Sequence, residues 1–347
     1  MLRLVTPRRH GGADRPLPEV VDLLAALAVE NASLAWMVGQ VALTQAIVRH
    51  FPRATQDAIF AAGPDMYGAG AIAPKGRAER APGGWIVTGQ WPFVTGCRNA
   101  AWIYLQCMVI ENRRPARTEE GAPKMRLALV GAEDVEIHDT WRSLGLRGTG
   151  SHDVSVRRVF VPDDRTCDLA AGSPVDSTDS SLDRLPLGDY AGLFIAPVAL
   201  GIATAAIQVV SKLAQEGKRP AFSPMKLSEC AVFRTQLGEA HMELRSAQAL
   251  LRERARAAWQ ATELADRQST LERAALRATS RHVTRVAQRL LDRVFVLAGG
   301  SAVYDACPLE RHLRDVHTAT QHAWNADRHA EIVGAALATD AAAALLF

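Results

Sequence analysis

Arg314-Asp315-Val316-His317-Thr318-Ala319-Thr320-Gln321-His322-Ala323-Trp324-Asn325-Ala326-Asp327 is the stretch on which the fold turns. It contains neither glycine nor proline, and its residues are compatible with one continuous helix. Working back from it, helical stretches are predicted over roughly 190–216, 226–266, 269–298 and 308–346. Four long helices in succession predict an up-and-down bundle.

Ahead of the bundle the period changes. Trp85-Ile-Val-Thr, Trp102-Ile-Tyr-Leu, Met125-Arg-Leu-Ala-Leu-Val and Val154-Ser-Val-Arg-Arg-Val-Phe-Val are short β-type runs separated by Gly, Pro and Asp turns. They predict a compact antiparallel, barrel-like β-domain. From Pro18 to Phe60 the helical period returns, with Leu23, Leu24, Leu27 and Ala28 on one face and Asn31 or Ser33 able to cap a second helix. The predicted organisation is α+β: an N-terminal helical block over 1–65, a β-domain over 66–165, a linker rich in Asp, Ser, Pro and Gly over 166–189, and a four-helix bundle over 190–347.

Composition narrows the function. Of 347 residues, 48% are hydrophobic, enough for a large core. Lys and Arg number 40 against 37 Asp and Glu, and the signs interleave, so no nucleic-acid surface is expected. The five cysteines, Cys97, Cys107, Cys167, Cys230 and Cys307, show no C-x-x-C pair, which argues against a disulfide framework and for a reducing cytoplasm. No apolar run of about 18 residues and no leader segment is read, so no membrane association is expected.

Several motifs fail on context. Gly68-Ala-Gly70-Ala-Ile-Ala73 matches a dinucleotide fingerprint, but Pro74 and a β-type segment follow where a helix must open. No phosphate-binding P-loop, G-x-S-x-G or H-E-x-x-H occurs, and no metal is expected despite His317, His322 and His329 lying close in sequence. Arginines at 273, 277, 281, 285, 289 and 293 wind about halfway around one helix, an expected solvated or subunit-contact ridge, with anion contacts from one or two as the alternative.

Three separated runs carry the functional reading. They are Gly83-Gly-Trp-Ile-Val-Thr-Gly-Gln-Trp91-Pro-Phe93-Val-Thr95-Gly96, then Gly145-Leu-Arg147-Gly-Thr-Gly-Ser151-His-Asp-Val154 with Phe160-Val-Pro162, and Leu297-Ala-Gly299-Gly300-Ser301 leading to the Arg314–Asp327 tail. The first is read as a hairpin turning at Gly89-Gln90. Together they resemble the flavin-dependent monooxygenases of the acyl-CoA dehydrogenase-like fold, the oxygenase components of two-component hydroxylases.

The resemblance implies a bound reduced FMN or FAD and a C4a-hydroperoxyflavin that oxygenates a small phenol-like aromatic or related organic substrate with O2. Thr95 would lie beside flavin N5, with Trp91, Phe93 and Gly96 lining the isoalloxazine and Ser151 at its border. Arg219 would contribute on the phosphate side, and Gly299 and Gly300 would approach the flavin of a neighbouring subunit in a homotetramer. His322 would be catalytic, donating to a forming peroxide or accepting a phenolic proton. With no nicotinamide module, a separate NAD(P)H-dependent flavin reductase would supply the reduced flavin. The N-terminal helical block reads as shortened relative to that family. The rivals are an FAD-dependent acyl-CoA dehydrogenase, for which Glu331 lacks the expected tyrosine-glutamate-glycine setting, and a flavin-binding protein without turnover.

Overall fold

A computed structural model describes residues 2–119, 121–169, 180–264 and 268–339. The expected linker falls partly outside these residues, at 170–179, as do the ends of the second and fourth expected bundle helices, at 265–266 and 340–346. The chain divides into two compact units, one of Met1–Arg15, Met37–Arg142 and Gly148–Leu187, the other of Pro16–Trp36, Ser143–Arg147 and Gly188–Phe347.

A sheet dominates the first unit. Its strands are β1 (Gly68–Ala81), β2 (Gly84–Val94), β3 (Trp102–Glu111), β4 (Arg114–Pro115), β5 (Met125–Gly131), β6 (Glu136–His138), β7 (His152–Pro162) and β8 (Thr166–Cys167). Their order is β6-β7-β2-β1-β3-β5-β8, with β4 against β3. The sheet is not wholly antiparallel as expected, because β1 and β3 run parallel. After β2 the chain turns through Cys97–Asn99 and returns on the other side of β1, which sets that direction. Among the described residues no ladder joins β6 to β8, so the strand order is an open path with very short strands at both edges, not a closed barrel.

The Gly68–Ala73 run opens β1, as the rejection of a dinucleotide fold requires. Gly89-Gln90, expected as a turn, lies inside β2, and the hairpin instead turns at Pro82-Gly83. Tertiary packing explains the glycine: a Cβ on Gly89 would meet Gly76 Cα at 2.6 Å and the Trp91 ring at 2.8 Å. Helix α3 (Arg53–Phe60) belongs to this unit, and α2 (Ala32–Val48) begins in the other, where the Asn31 carboxamide accepts the Leu34 N–H and caps it.

The second unit is helical: α1 (Leu17–Glu30), then, after the short α4 (Leu187–Tyr190), α5 (Ala196–Gln215), α6 (Ala231–Glu263), α7 (Thr270–Ala298), α8 (Pro308–Ala319) and α9 (Arg328–Ala338). Helix α5 starts later than expected because Pro197 suits only its first turn. Contrary to the expectation of no long apolar run, one stretch is long and apolar enough, by length and composition, to span a bilayer. Within Leu187–Gln215 the most apolar 18-residue window has a mean hydropathy of 2.2, yet 83% of that window is buried within the protein, as in the central helix of a bundle. Gly201 lets α1 lie against α5, since a Cβ there would be 2.4 Å from the Ala25 carbonyl oxygen. At α7 Ser269 and Glu272 form the capping box.

Two expectations about the bundle change. The fourth helix breaks after Ala319 and resumes at Arg328. The arginine row is no free ridge: Arg273 and Arg277 both grip the buried Asp189 at 2.6 Å, Arg281 pairs with Asp327 and Arg293 with Glu243. A four-residue step on a helix drifts slowly, so the row passes across several packed neighbours before it reaches solvent.

Candidate active site

In the first unit the end of β2 and the start of β7 build a hydroxyl ladder. Thr95 Oγ1 lies 2.8 Å from Ser151 Oγ, which lies 2.8 Å from Thr149 Oγ1. All three residues are buried. The backbone fixes them, because Gly96 N–H donates to the Thr149 carbonyl at 3.0 Å and Val94 registers with His152. Thr95 and Ser151, from two separate motifs, are thus brought together. Thr149 was missed, although its place in Gly148-Thr149-Gly150-Ser151, two residues from Ser151, was the available signal.

The same segment carries a bulge. Register with β7 shifts between Trp91 and Val94, and Phe93 adopts φ 64°, a left-handed conformation rarely held by an aromatic residue. Simple alternation would turn Phe93 inward with Trp91. Instead Val94 is buried and Phe93 is 70% exposed, edge-on to Trp141 at 6.3 Å. Such strain costs about 1–3 kcal/mol and concentrates where a fold presents a side chain for use.

Trp91 is corrected. Its indole is fully buried in the β core, donates Nε1–H to the Gln106 carbonyl at 2.7 Å and fills the spaces beside Gly76 and Gly89. It leaves no exposed surface for a cofactor and packs as part of the β-domain core. Gly96 has φ 68°, and a Cβ on it would sit 2.0 Å from the Tyr67 hydroxyl oxygen. That hydroxyl is buried and, among the described residues, without a hydrogen-bond partner, and burial pushes its pKa up to about 12. It therefore stays a phenol able to donate.

In the second unit His322 does not sit on a helix. It caps the 3-10 turn Ala323–Asn325, its Nδ1 accepting the Trp324 N–H at 3.3 Å, and its ring meets the edge of Trp36 at 5.4 Å. Burial alone drives its pKa down to about 4. A neutral imidazole whose Nδ1 accepts must carry its proton on Nε2. Of the two jobs read from the sequence, donating fits this geometry; accepting a proton at Nε2 would require the cap to be given up.

Arg219 is exposed in the connection between α5 and α6. Its neighbour Lys218 makes the contacts, donating from Nζ to the Ala298 carbonyl and pairing with Ser301 at the C-terminal end of α7. Gly299 and Gly300 beside it are exposed, with nothing among the described residues within 4 Å of a Cβ on either. Glu331 is exposed on α9.

Two histidines, the buried His312 and the half-buried His322, carry a stability consequence. His312 and His322 are both driven to about 4 by burial, whereas in an unfolded chain each titrates near ~6.5. Unfolding then takes up protons between those values, so their contribution is whole above about pH 6.5 and is lost as pH falls through the window toward 4. Asp315 acts in the opposite sense, its pKa raised by burial. Thermal denaturation at descending pH checks this: the wild-type midpoint should drop below about pH 6.5, and His312→Gln, which cannot titrate, should flatten the drop.

Residues 193–327 match the family model described as acyl-CoA dehydrogenase, C-terminal domain. The chain is 28% identical over 326 residues to an indole-3-acetate monooxygenase of Acinetobacter baumannii, covering 94% of this chain and 81% of that protein. It is 26% identical over 354 residues to the flavin-dependent monooxygenase oxygenase subunit HsaA of Rhodococcus jostii, covering 95% and 86%. In structure it resembles XiaF from Streptomyces, solved with FADH2 and glycerol, at a TM-score of 0.89 and 26% identity over 97% of this chain and 85% of that one. Fold, motifs and length of match agree: over nearly its whole length the chain is similar to flavin-dependent monooxygenases, and its C-terminal half carries the acyl-CoA dehydrogenase C-terminal domain match.

Proposed function

We propose that this chain is the oxygenase component of a two-component monooxygenase that hydroxylates a small phenol-like aromatic with O2 and reduced FMN or FAD. The observation that carries it is the hydroxyl ladder. If Thr95 donates to Ser151 and Ser151 to Thr149, Thr95 Oγ1 keeps a lone pair for an outside donor, which suits the N5–H of a reduced flavin. The unpartnered Tyr67 hydroxyl beside Gly96 fits the same need for a polar partner.

When bound, the reduced flavin supplies activation of O2 and delivery of one oxygen atom to the substrate. The chain's own residues hold and orient. Thr95 accepts the hydrogen bond, and Phe93 offers an exposed aromatic face. His322 presents Nε2–H as a fixed donor to an oxygen, and as a neutral ring it does so without bringing a second charge. Relatives named for indole-3-acetate favour an aromatic substrate. Relatives named as oxygenase subunits favour a separate NAD(P)H-dependent flavin reductase. The open Gly299-Gly300 corner suits a homotetramer in which another copy approaches it, and five free cysteines suit the cytoplasm.

The test mixes the protein with chemically reduced FMN or FAD, admits O2 and measures hydroxylated product and hydrogen peroxide across a panel of phenols and indoles. Product from at least one member is expected, with His322→Ala lowering it. Peroxide alone across the panel would favour flavin binding without turnover. Reduction of FAD by fatty acyl-CoA thioesters would favour the dehydrogenase.

A further inference from the structure

His322 is delivered by a turn whose shape is set by one buried carboxamide. Leaving α8, the His322 N–H returns to the Ala319 carbonyl at 3.3 Å. Asn325 then closes the turn twice: its backbone N–H donates to the His322 carbonyl at 2.8 Å, and its Nδ2 donates to the Ala319 carbonyl at 2.8 Å. From α7, Ser280 Oγ donates to Asn325 Oδ1 at 2.8 Å. Asn325 is 1% exposed and Ser280 fully buried.

The surroundings leave that pair no freedom. A Cβ on Gly192 would lie 2.7 Å from Ser280 Cβ and 3.8 Å from Trp324 Cβ, so the Ala191–Phe194 turn closes over both. Past the turn, Arg281 holds Asp327 at 2.7 Å. Only a carboxamide offers a donor to one carbonyl and an acceptor to one hydroxyl in the same plane. Aspartate would face the Ala319 carbonyl with an acceptor, and leucine would leave Ser280 and Ala319 both short of a partner.

We propose that Asn325, anchored by Ser280, is the positioning residue that fixes the His322 imidazole with Nδ1 on the Trp324 N–H and Nε2–H presented outward. The inference rests on the donor role given to His322 above. Asn325 touches no reacting atom; it acts by deciding where the Trp324 N–H points, and so which imidazole nitrogen is left to carry the proton. A turn that slips by a fraction of an ångström would let both tautomers exist and would spread the ring over several orientations.

The experiment reads the tautomer directly. In protein labelled with 15N-histidine, the His322 signals, assigned by their loss in His322→Ala, should report a single Nε2–H form. In Asn325→Asp they should move toward a tautomeric average, and product formation should fall about 10- to 100-fold while flavin affinity holds. Ser280→Ala should shift both readouts the same way by less, and it carries the measurement if Asn325→Asp does not fold. A fixed Nε2–H form in the variants, or a loss of product that only tracks loss of flavin affinity, overturns the proposal. If His322→Ala retains full product formation while the tautomer still depends on Asn325, the catalytic reading of His322 fails and the positioning stands.

Discussion

Thr95→Ala is expected to separate flavin oxidation from hydroxylation: reduced flavin still passes two electrons and two protons to O2, but they leave as hydrogen peroxide and the organic substrate is recovered unchanged. Thr95 Oγ1 ends a buried chain of hydroxyls in which Ser151 and Thr149 are already engaged with one another, so no neighbour on the ladder substitutes for it. A hydrogen-bonding group left unsatisfied in a buried site costs about 1–3 kcal/mol, equivalent to roughly a 5- to 150-fold loss in product per flavin oxidised. Thr95→Ser keeps the oxygen and should retain most of the coupling. Product and peroxide quantified in the same reaction decide it; unchanged coupling in the alanine variant would remove Thr95 from the site. Thr149→Val should show a milder form of the same loss, because it breaks the ladder one step further from its open end.

Much of this arrangement was legible in the chain, and what was not has definite causes. The β-runs beginning at Trp85, Trp102, Met125 and Val154 lie in β2, β3, β5 and β7, because β-branched and aromatic residues in short alternating runs suit a half-buried pleat. The orientation of the aromatic motif was not legible. Trp91 faces the core and Phe93 faces out because a bulge and a positive φ interrupt the alternation between them, and no pattern of residue types announces a bulge. The break of the last helix was hidden for a related reason. Thr320 through Ala326 are tolerated in helices, and what stops the helix is side chains bonding to backbone, the His322 ring on the Trp324 N–H and the Asn325 carboxamide on the Ala319 carbonyl. Pairing is equally invisible at a distance: nothing near Arg273 or Arg277 in sequence reveals that Asp189, more than eighty residues earlier, lies between them.

Asp189→Ala should be the most destabilising single change in the helical unit. The carboxylate is completely enclosed, with Arg273 Nε at 2.6 Å on one oxygen and Arg277 Nε at 2.6 Å on the other, and the two guanidinium side chains are themselves only 23% and 11% exposed. Deleting the anion leaves two poorly solvated cations facing each other across a cavity, and breaking a buried pair in this way costs about 3–5 kcal/mol. The exposed pair of Arg252 with Asp22, also 2.6 Å apart but 43% and 52% exposed, provides the control, since such pairs contribute at most about 1 kcal/mol. Urea unfolding of Asp189→Ala and Asp22→Ala side by side should therefore separate them widely, and added salt should weaken the Asp22 contribution while leaving that of Asp189 largely intact. Equal midpoints would show that the buried triad adds nothing beyond packing. The loss should also reach the active turn. Asp189 ties residues 188–194 to α7, and Gly192 in that segment seats Ser280, which holds Asn325. Asp189→Ala should accordingly loosen the His322 tautomer as Ser280→Ala does, whereas Asp22→Ala should leave it fixed.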